Sequence, residues 1–301
     1  MTILKVDGLT KKYGDFTAVN NISFKVEKGE LLGFLGVYGA GKSTTINMLS
    51  TLLKPDGGKA EICGHSLGKG DNDIRRKIGI VYQQNCLDEI LTVQENLLCR
   101  GIIHGKTKAE AKKRLDELCG ILTLDDILKK PFGKLSGGQK RRCEISAALM
   151  HTPELLFLDE PTTGLDPATR KDVWETVEQL RKNTGMTVFL TTHYMEEAAA
   201  ANRIIILEKG TIRAEGTPFE LKEKYASDSV KLYCTDNNAA KVSDILSSQR
   251  ITAVKEEYGL SFNIKGTAGA IAPVYSVKEL IEGFEVIQGS MDDVFLNACN
   301  Q

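Results

Sequence analysis

The sequence predicts an α/β protein, a mostly parallel sheet covered by helices that carries a helical insert and is followed by a small α+β unit. Three observations predict it. Short apolar runs at 31–35, 155–158, 187–191 and 204–207 alternate with longer amphipathic stretches, the order that gives a parallel sheet buried on both faces. A glycine-rich turn at 36–44 joins the first run to a helical stretch. From about 92 to 150 the pattern turns helical, and after about 224 it restarts.

In chain order, Ile22, Phe24 and Val26 alternate as in a half-buried antiparallel strand, whereas Leu31-Leu32-Gly33-Phe34-Leu35 is apolar on both faces. A helix is predicted over 42–53, then a turn at Pro55-Asp56-Gly57-Gly58 and a strand over 59–63. In the insert, Thr92/Glu95 and Thr107/Glu110 have capping-box spacing, and Ala111, Leu115, Leu118 and Leu122 recur at helical intervals. Asp166 and Pro167 open a further helix that ends near Gly185. These elements assign 1–224 to one domain, with its helical subdomain at about 90–150, and 225–301 to an accessory α+β domain. In the latter, strands are expected at 230–234, 251–254, 260–264 and 284–287. Helices are expected at 239–246, from the Ser276/Glu279 pair, and over 290–298. This is the βαββαβ order of ferredoxin-like folds.

Composition narrows the function classes. Lys+Arg 39 against Asp+Glu 40 gives a formal net charge of -1, without the basic surplus of a nucleic-acid binder, so no nucleic-acid partner is expected. The start, MTILKVDGLTKKYG, lacks the apolar core of a secretory signal, and no apolar run approaches the ~20 residues of a membrane helix. The seven cysteines are scattered without a CxxC pair, which suits reduced thiols in a cytoplasmic protein.

The chemistry lies in three motifs. Gly36-Val37-Tyr38-Gly39-Ala40-Gly41-Lys42-Ser43-Thr44 satisfies G-x-x-x-x-G-K-[ST] between a buried strand and a helix. Its glycines let backbone N–H groups curl round a phosphate, and the helix N-terminus adds positive potential. Lys42 is placed to reach the β- and γ-phosphates, and the Ser43 hydroxyl to ligate Mg²⁺. Leu155-Leu156-Phe157-Leu158-Asp159-Glu160 ends an apolar strand in two carboxylates. Alone it reads as a strand with a solvated end; beside a phosphate loop, Asp159 becomes a Mg²⁺ ligand and Glu160 the general base for a water. In Leu135-Ser136-Gly137-Gly138-Gln139, Ser136 and Gln139 have capping-box spacing. A cap explains those two but not the glycine pair, which costs roughly 1 kcal/mol per residue in a helix. Bare N–H groups at a positive helix end are suited to a second phosphate contact.

These motifs, in this order, resemble the ABC ATPase family over roughly residues 1–220. The resemblance implies a P-loop NTPase core with N-terminal antiparallel strands, ATP and Mg²⁺ as ligands, and roles for further residues. Tyr13 is similar to the aromatic residue that stacks on adenine. Gln83 resembles the lid glutamine that touches Mg²⁺ and the attacking water, and His193 the switch histidine at the γ-phosphate. Asp166 resembles the loop residue that bridges two protomers, and Gly29-Glu30 marks the turn entering the P-loop strand. Where the family usually has Pro-Asn, this chain has Val37-Tyr38. The backbone cradle is expected to keep its phosphate, and Tyr38 to bear on the rate or on the closed-dimer geometry.

The resemblance further implies that two copies pair head-to-tail, the P-loop of one and the Ser136-Gly137-Gly138-Gln139 of the other enclosing one ATP. A homodimer is the expected form, driving a separate membrane permease from the inner face of the cell membrane. Thr191-Thr192-His193-Tyr194-Met195-Glu196-Glu197-Ala198, Gly216-Thr217-Pro218 and Ser290-Met291-Asp292-Asp293-Val294-Phe295-Leu296 look like drug-resistance-type (daunorubicin-exporter-like) ATPase subunits. Two other readings compete. One is an ABC-type ATPase of translation or DNA repair, against which stand the single cassette and the absent basic surplus. The other is a nucleotide-binding module without useful turnover, against which stand Glu160 and His193.

Overall fold

β1 (Thr2–Tyr13) and β2 (Phe16–Glu27) pair antiparallel, with Leu4 opposite Val26 and Val6 opposite Phe24. Ile22, Phe24 and Val26 point inward as their alternation predicts. Then follow β3 (Leu31–Leu35), α1 (Lys42–Leu49), β4 (Gly57–Ile62), β5 (His65–Ser66), α2 (Asp71–Lys77) and β6 (Ile78–Val81). The helical layer is α3 (Val93–Ile103), α4 (Lys108–Leu122) and α5 (Gly137–Leu149). The chain returns through β7 (Leu155–Asp159), α6 (Pro167–Thr184), β8 (Thr187–Thr192), α7 (Met195–Ala198), β9 (Arg203–Glu208) and β10 (Thr211–Gly216). The computed structural model describes residues 1–299. They fall into two compact units, the first Met1–Glu215 and the second beginning at Gly216.

The first unit holds two sheets. One has the order β2-β1-β4-β5; the other has the order β10-β9-β3-β8-β7-β6, in which β3, β6, β7, β8 and β9 run parallel. All five residues of β3 and of β7 are buried, as a sheet covered on both faces requires. Phe24, Phe34, Phe157 and Phe189 form its centre, with ring centroids 5.2 to 6.0 Å apart. Such tilted pairs contribute about 0.5–1.5 kcal/mol each beyond burial. The P-loop strand therefore rests on a stiff platform.

Three helices of the insert start on reciprocal capping boxes, Thr92 with Glu95, Thr107 with Glu110, and Ser136 with Gln139. α1 is shorter than its sequence suggests, ending at Leu49 rather than near Leu53. Thr51 takes a positive φ of 67°, and the N–H groups of Leu52 and Leu53 both turn back to the Asn47 carbonyl. β1, β6, α2 and β10 carry no strong periodicity and go unread in the sequence.

In the second unit, Thr217 caps α8 (Pro218–Tyr225), with Pro218 in its first turn. The unit begins at Gly216, so α8 belongs with it, and the boundary near 224 read from the sequence lies at the end of that helix. β11 (Asp228–Tyr233), α9 (Asp236–Ser248), β12 (Val254–Glu256), β13 (Gly259–Ile264), α10 (Ile271–Val277), β14 (Gly283–Ile287) and α11 (Met291–Cys299) follow. The sheet has the order β12-β13-β11-β14, with every neighbour antiparallel. Its core includes Val230, Leu232, Val242, Leu246, Phe262 and Val277. Two local expectations are corrected. The Ser276/Glu279 pair does not open a helix, because α10 is already ending there and the Ser276 hydroxyl donates to the Pro273 carbonyl at 2.7 Å. Pro273 sits in the first turn of α10, where its missing N–H is tolerated. β12 covers 254–256 rather than 251–254, since Ile251 N–H closes α9 on the Leu246 carbonyl.

Among the described residues, no helix is long and apolar enough to cross a membrane.

Candidate nucleotide site

Strand register brings four chain exits into one row. Because β6, β7, β8 and β3 run parallel, Val81 lies opposite Leu158, Asp159 opposite Thr191, and Thr192 opposite Leu35. The residues that leave these ends are Tyr82-Gln83, Glu160, His193 and Gly36. A parallel sheet presents such residues to the crevice beyond its carboxyl edge.

The P-loop is shaped by two glycines that must be glycine. A β-carbon on Gly36 would lie 2.6 Å from the Leu207 carbonyl oxygen, and one on Gly41, whose φ is 105°, would collide with the Ala18 carbonyl. Gly41 is also the N-cap of α1 and offers no side chain to that helix end, which leaves first-turn N–H groups for an anion. Lys42 turns back under the loop. Its ammonium donates to the carbonyls of Gly36 at 2.6 Å and Val37 at 3.3 Å and pairs with Glu160 Oε1 at 3.2 Å. Both side chains are only 4% exposed.

Glu160 is held from several sides. Its backbone has φ of 46°, an uncommon conformation for a side chain of this size. That twist lets its N–H donate to the Thr191 carbonyl at 3.0 Å and to Thr191 Oγ1 at 3.1 Å. Gln83 Nε2 donates to Glu160 Oε2 at 3.3 Å and Thr163 Oγ1 donates to it at 3.2 Å. His193 Nδ1 lies 3.3 Å from the same oxygen, in ion-pair range but outside hydrogen-bond geometry, and is a buried nitrogen without a hydrogen-bond partner.

Asp159 accepts from the Thr191 hydroxyl at 2.5 Å and from the Ser43 hydroxyl at 3.3 Å. Burial pushes its carboxyl above the ordinary aspartate range, and the two hydroxyls oppose that shift. Next to it, Glu197 binds the Thr162 hydroxyl and accepts from Thr192 at 2.6 Å, so a buried carboxylate ties the β7 exit to the β8 exit.

Tyr13, Phe16, Tyr38, Gly39, Ala40, Gly41, Lys42, Ser43, Thr44, Gln83 and Glu160 line one cleft of about 230 Å³. Tyr13 and Phe16, partners across the hairpin turn, stand half or more exposed at its mouth. The Tyr38 ring packs 5.1 Å from that of His193. The charge of Glu160 is the chief reason the Tyr38 phenol is held above its ordinary pKa.

Ser136, Gly137, Gly138, Gln139 and Asp166 do not line this cleft. The start of α5 packs instead on the start of α6 and the residues before it. A β-carbon on Gly137 would come within 2.9 Å of Leu165, and one on Gly138 would run into the Thr169 methyl. Thr169 in turn donates from its N–H at 3.0 Å and its hydroxyl at 2.5 Å to Asp166, the N-cap of α6. Gly137 is exposed and Gly138 half-buried.

Sequence reasoning missed several residues. Arg141, buried in α5, donates to the Tyr82 carbonyl at 2.6 Å and the Gln83 carbonyl at 3.1 Å. One helical turn on, Glu144 accepts from the N–H groups of Cys86 at 2.6 Å and Leu87 at 3.1 Å. A pair of charges three residues apart on a mostly buried helix was the available signal. Phe16 and Thr191 had none beyond lying beside Tyr13 and His193.

A phosphate fits what is present, namely a buried ammonium and uncapped helix N–H groups at the cleft, with an orphaned imidazole nitrogen behind Glu160. With the crevice at the carboxyl edge of a parallel sheet, this defines a P-loop nucleotide-binding protein. The ABC transporter family profile matches residues 19–163. The daunorubicin/doxorubicin resistance ATP-binding protein of Streptomyces peucetius is 38% identical over 97% of this chain and 91% of its own length. The linearmycin resistance ATP-binding protein of Bacillus subtilis is 45% identical over 76% of this chain and 73% of its own. A dimeric ATP-binding cassette solved in a post-hydrolysis state with ADP and Pi superimposes with a TM-score of 0.65. It is 31% identical and covers 71% of this chain and 98% of that one. The chain belongs to the ABC transporter family, as an ATP-binding and ATP-hydrolysing subunit.

Proposed function

We propose that this subunit works as a homodimer on the cytoplasmic face of a membrane, powering a separate permease that exports a drug-like compound. What supports the reading most is the division of the site. Lys42, Glu160 and Gln83 line one cleft, with His193 against Glu160, while Ser136, Gly137, Gly138 and Asp166 lie outside it on the same chain. Two half-sites on one molecule are complete only when a second copy lends its half. The relatives' names, which speak of daunorubicin, doxorubicin and linearmycin resistance, point to export as the direction.

In this reading each residue has a distinct task. Gly36, Gly39, Ala40 and Gly41 shape the cradle, and the α1 N-terminus with Ser43 and Thr44 meets the β- and γ-phosphates through backbone N–H groups. Lys42 exchanges Glu160 and two carbonyls for phosphate oxygens. Tyr13 offers a face for adenine, with Phe16 beside it. Glu160, held on Thr191 and Thr163, takes the proton of the attacking water, which Gln83 and His193 position. From a second copy, Ser136, Gly137, Gly138 and Gln139 bring helix-end N–H groups to the γ-phosphate, with Asp166 beside them.

Mg²⁺ suits the donor set, since Ser43 and Asp159 supply adjacent hard oxygens and Gln83 an amide oxygen after rotation. Such an ion takes few protein ligands and completes its shell with phosphate and water. When bound it would neutralise charge that develops on the β- and γ-phosphates.

The C-terminal unit serves dimer stability or regulation in this account, and cargo choice belongs to the permease. Phosphate release measured for the wild type and Glu160→Gln, with and without permease vesicles, tests the catalytic reading. Turnover is expected to fall roughly 100-fold or more in the variant. Equal rates in all four conditions would make this a binding module without hydrolysis.

A further inference from the structure

We propose that Tyr38 is a positioning latch at the nucleotide cleft: lying on His193 and beside Lys42 and Glu160, it holds the groups that the terminal phosphate of ATP needs, and that phosphate has to displace it. The proposal rests on the ATPase reading above and adds a residue with no assigned role in it.

Four side chains form a closed ring. Lys42 Nζ is 3.2 Å from Glu160, Glu160 is 3.3 Å from His193 Nδ1, the His193 ring is 5.1 Å from the Tyr38 ring, and Lys42 Nζ is 5.8 Å from the Tyr38 centroid. An ammonium has three N–H donors. Those of Lys42 are met by the Gly36 and Val37 carbonyls and by Glu160. Of these three partners only Glu160 belongs to the ring, so a phosphate that takes the place of Glu160 at Lys42 opens it.

Tyr38 is the member free to leave. It is 67% exposed, and the turn that carries it is closed by the Ala40 N–H on the Val37 carbonyl, a bond that does not involve its side chain. Its removal from the ring therefore disturbs neither the cradle nor the core. An aromatic face can hold a neighbouring ring and a cation, and the phenol adds a polar tip toward Glu160. ADP can meet Lys42 through its β-phosphate but brings no γ-phosphate to His193, on which Tyr38 lies, so the latch weighs on ATP more than on ADP.

Binding of ATP and of ADP in EDTA, measured by isothermal titration for wild type, Tyr38→Phe and Tyr38→Ala, tests this without turnover. The Ala variant is expected to bind ATP roughly three- to tenfold more tightly, the range of one lost aromatic contact. ADP affinity should stay within about twofold. Tyr38→Phe keeps the ring and should gain less; on a Glu160→Gln background its difference from wild type should vanish. If ATP and ADP shift together, or ATP binding weakens in both variants, Tyr38 is not a latch. A wild type that binds neither nucleotide would overturn the ATPase reading and the latch with it.

Discussion

Thr169 occupies the space that a side chain at Gly138 would need, and the same threonine is bonded through its N–H and hydroxyl to Asp166. The glycine pair that a capping box leaves unexplained thus has a reason within the chain, which is close packing of α5 on the start of α6. Gly138→Ala is expected to destabilise the protein by about 1–3 kcal/mol through overpacking. Thr169→Ala in the same chain should restore most of that loss, as read from urea midpoints. If the restored double variant still hydrolyses ATP poorly, the glycine also serves the nucleotide of a second copy; full activity would leave packing as its whole role.

Lys42 and Glu160 compensate each other in a nearly dry setting. Removing one partner of such a pair leaves an unmatched buried charge, a loss of about 3–5 kcal/mol. Lys42→Met should therefore lower the thermal midpoint of the nucleotide-free protein. Adding Glu160→Gln to it should recover much of the loss, and a double-mutant cycle with no coupling would contradict the pairing.

Arg141 fixes the backbone from which the Gln83 side chain projects. Its guanidinium spans two carbonyls, a task the point charge of lysine does not reproduce. Arg141→Lys should reduce kcat by roughly tenfold or more, because small displacements of positioning groups are costly. Nucleotide affinity, set by the P-loop, should stay within about threefold. An unchanged kcat would remove Arg141 from the catalytic account.

His151 predicts how stability depends on pH. Burial, and then the neighbouring His104 stacked at 4.0 Å, push its pKa down to about 4 from the ordinary histidine value of 6.5. Its ring nitrogen Nε2 lies 2.8 Å from the Ile78 carbonyl. The folded state therefore keeps this ring neutral where the unfolded chain takes up a proton. Unfolding binds protons in that window, so stability falls as pH drops from about 6.5 to about 4. The full effect is about 3 kcal/mol, and the lowered pKa of His104 acts in the same direction. His151→Gln should flatten the pH dependence of the urea midpoint over that range. An equally steep profile in the variant would place the acid sensitivity elsewhere.

How much was legible in the sequence depended on whether the signal was local. Strands buried on both faces, Leu31–Leu35 and Leu155–Asp159, announced themselves as apolar runs. The three capping boxes of the insert were written in residues three apart. The P-loop was legible because two of its glycines, Gly36 and Gly41, answer to backbone contacts that admit no β-carbon. What escaped was set by partners distant in the chain. β6 is a four-residue strand defined by its pairing with β7, and Thr191 gains its importance only where β8 passes Asp159 and Glu160. Arg141 looks like an ordinary helix charge until α5 is seen to face Tyr82 and Gln83. Ser276/Glu279 had the letters of a cap, yet Pro273 had already placed the helix ahead of them.

The most direct test of the account is the mass of Glu160→Gln in solution, measured by light scattering with ATP, with ADP and without nucleotide. The variant keeps the cradle and loses the base, so ATP should hold two copies together. A mass doubling with ATP alone is the predicted result. A monomer under all three conditions, or a dimer indifferent to nucleotide, would contradict a site shared between two chains.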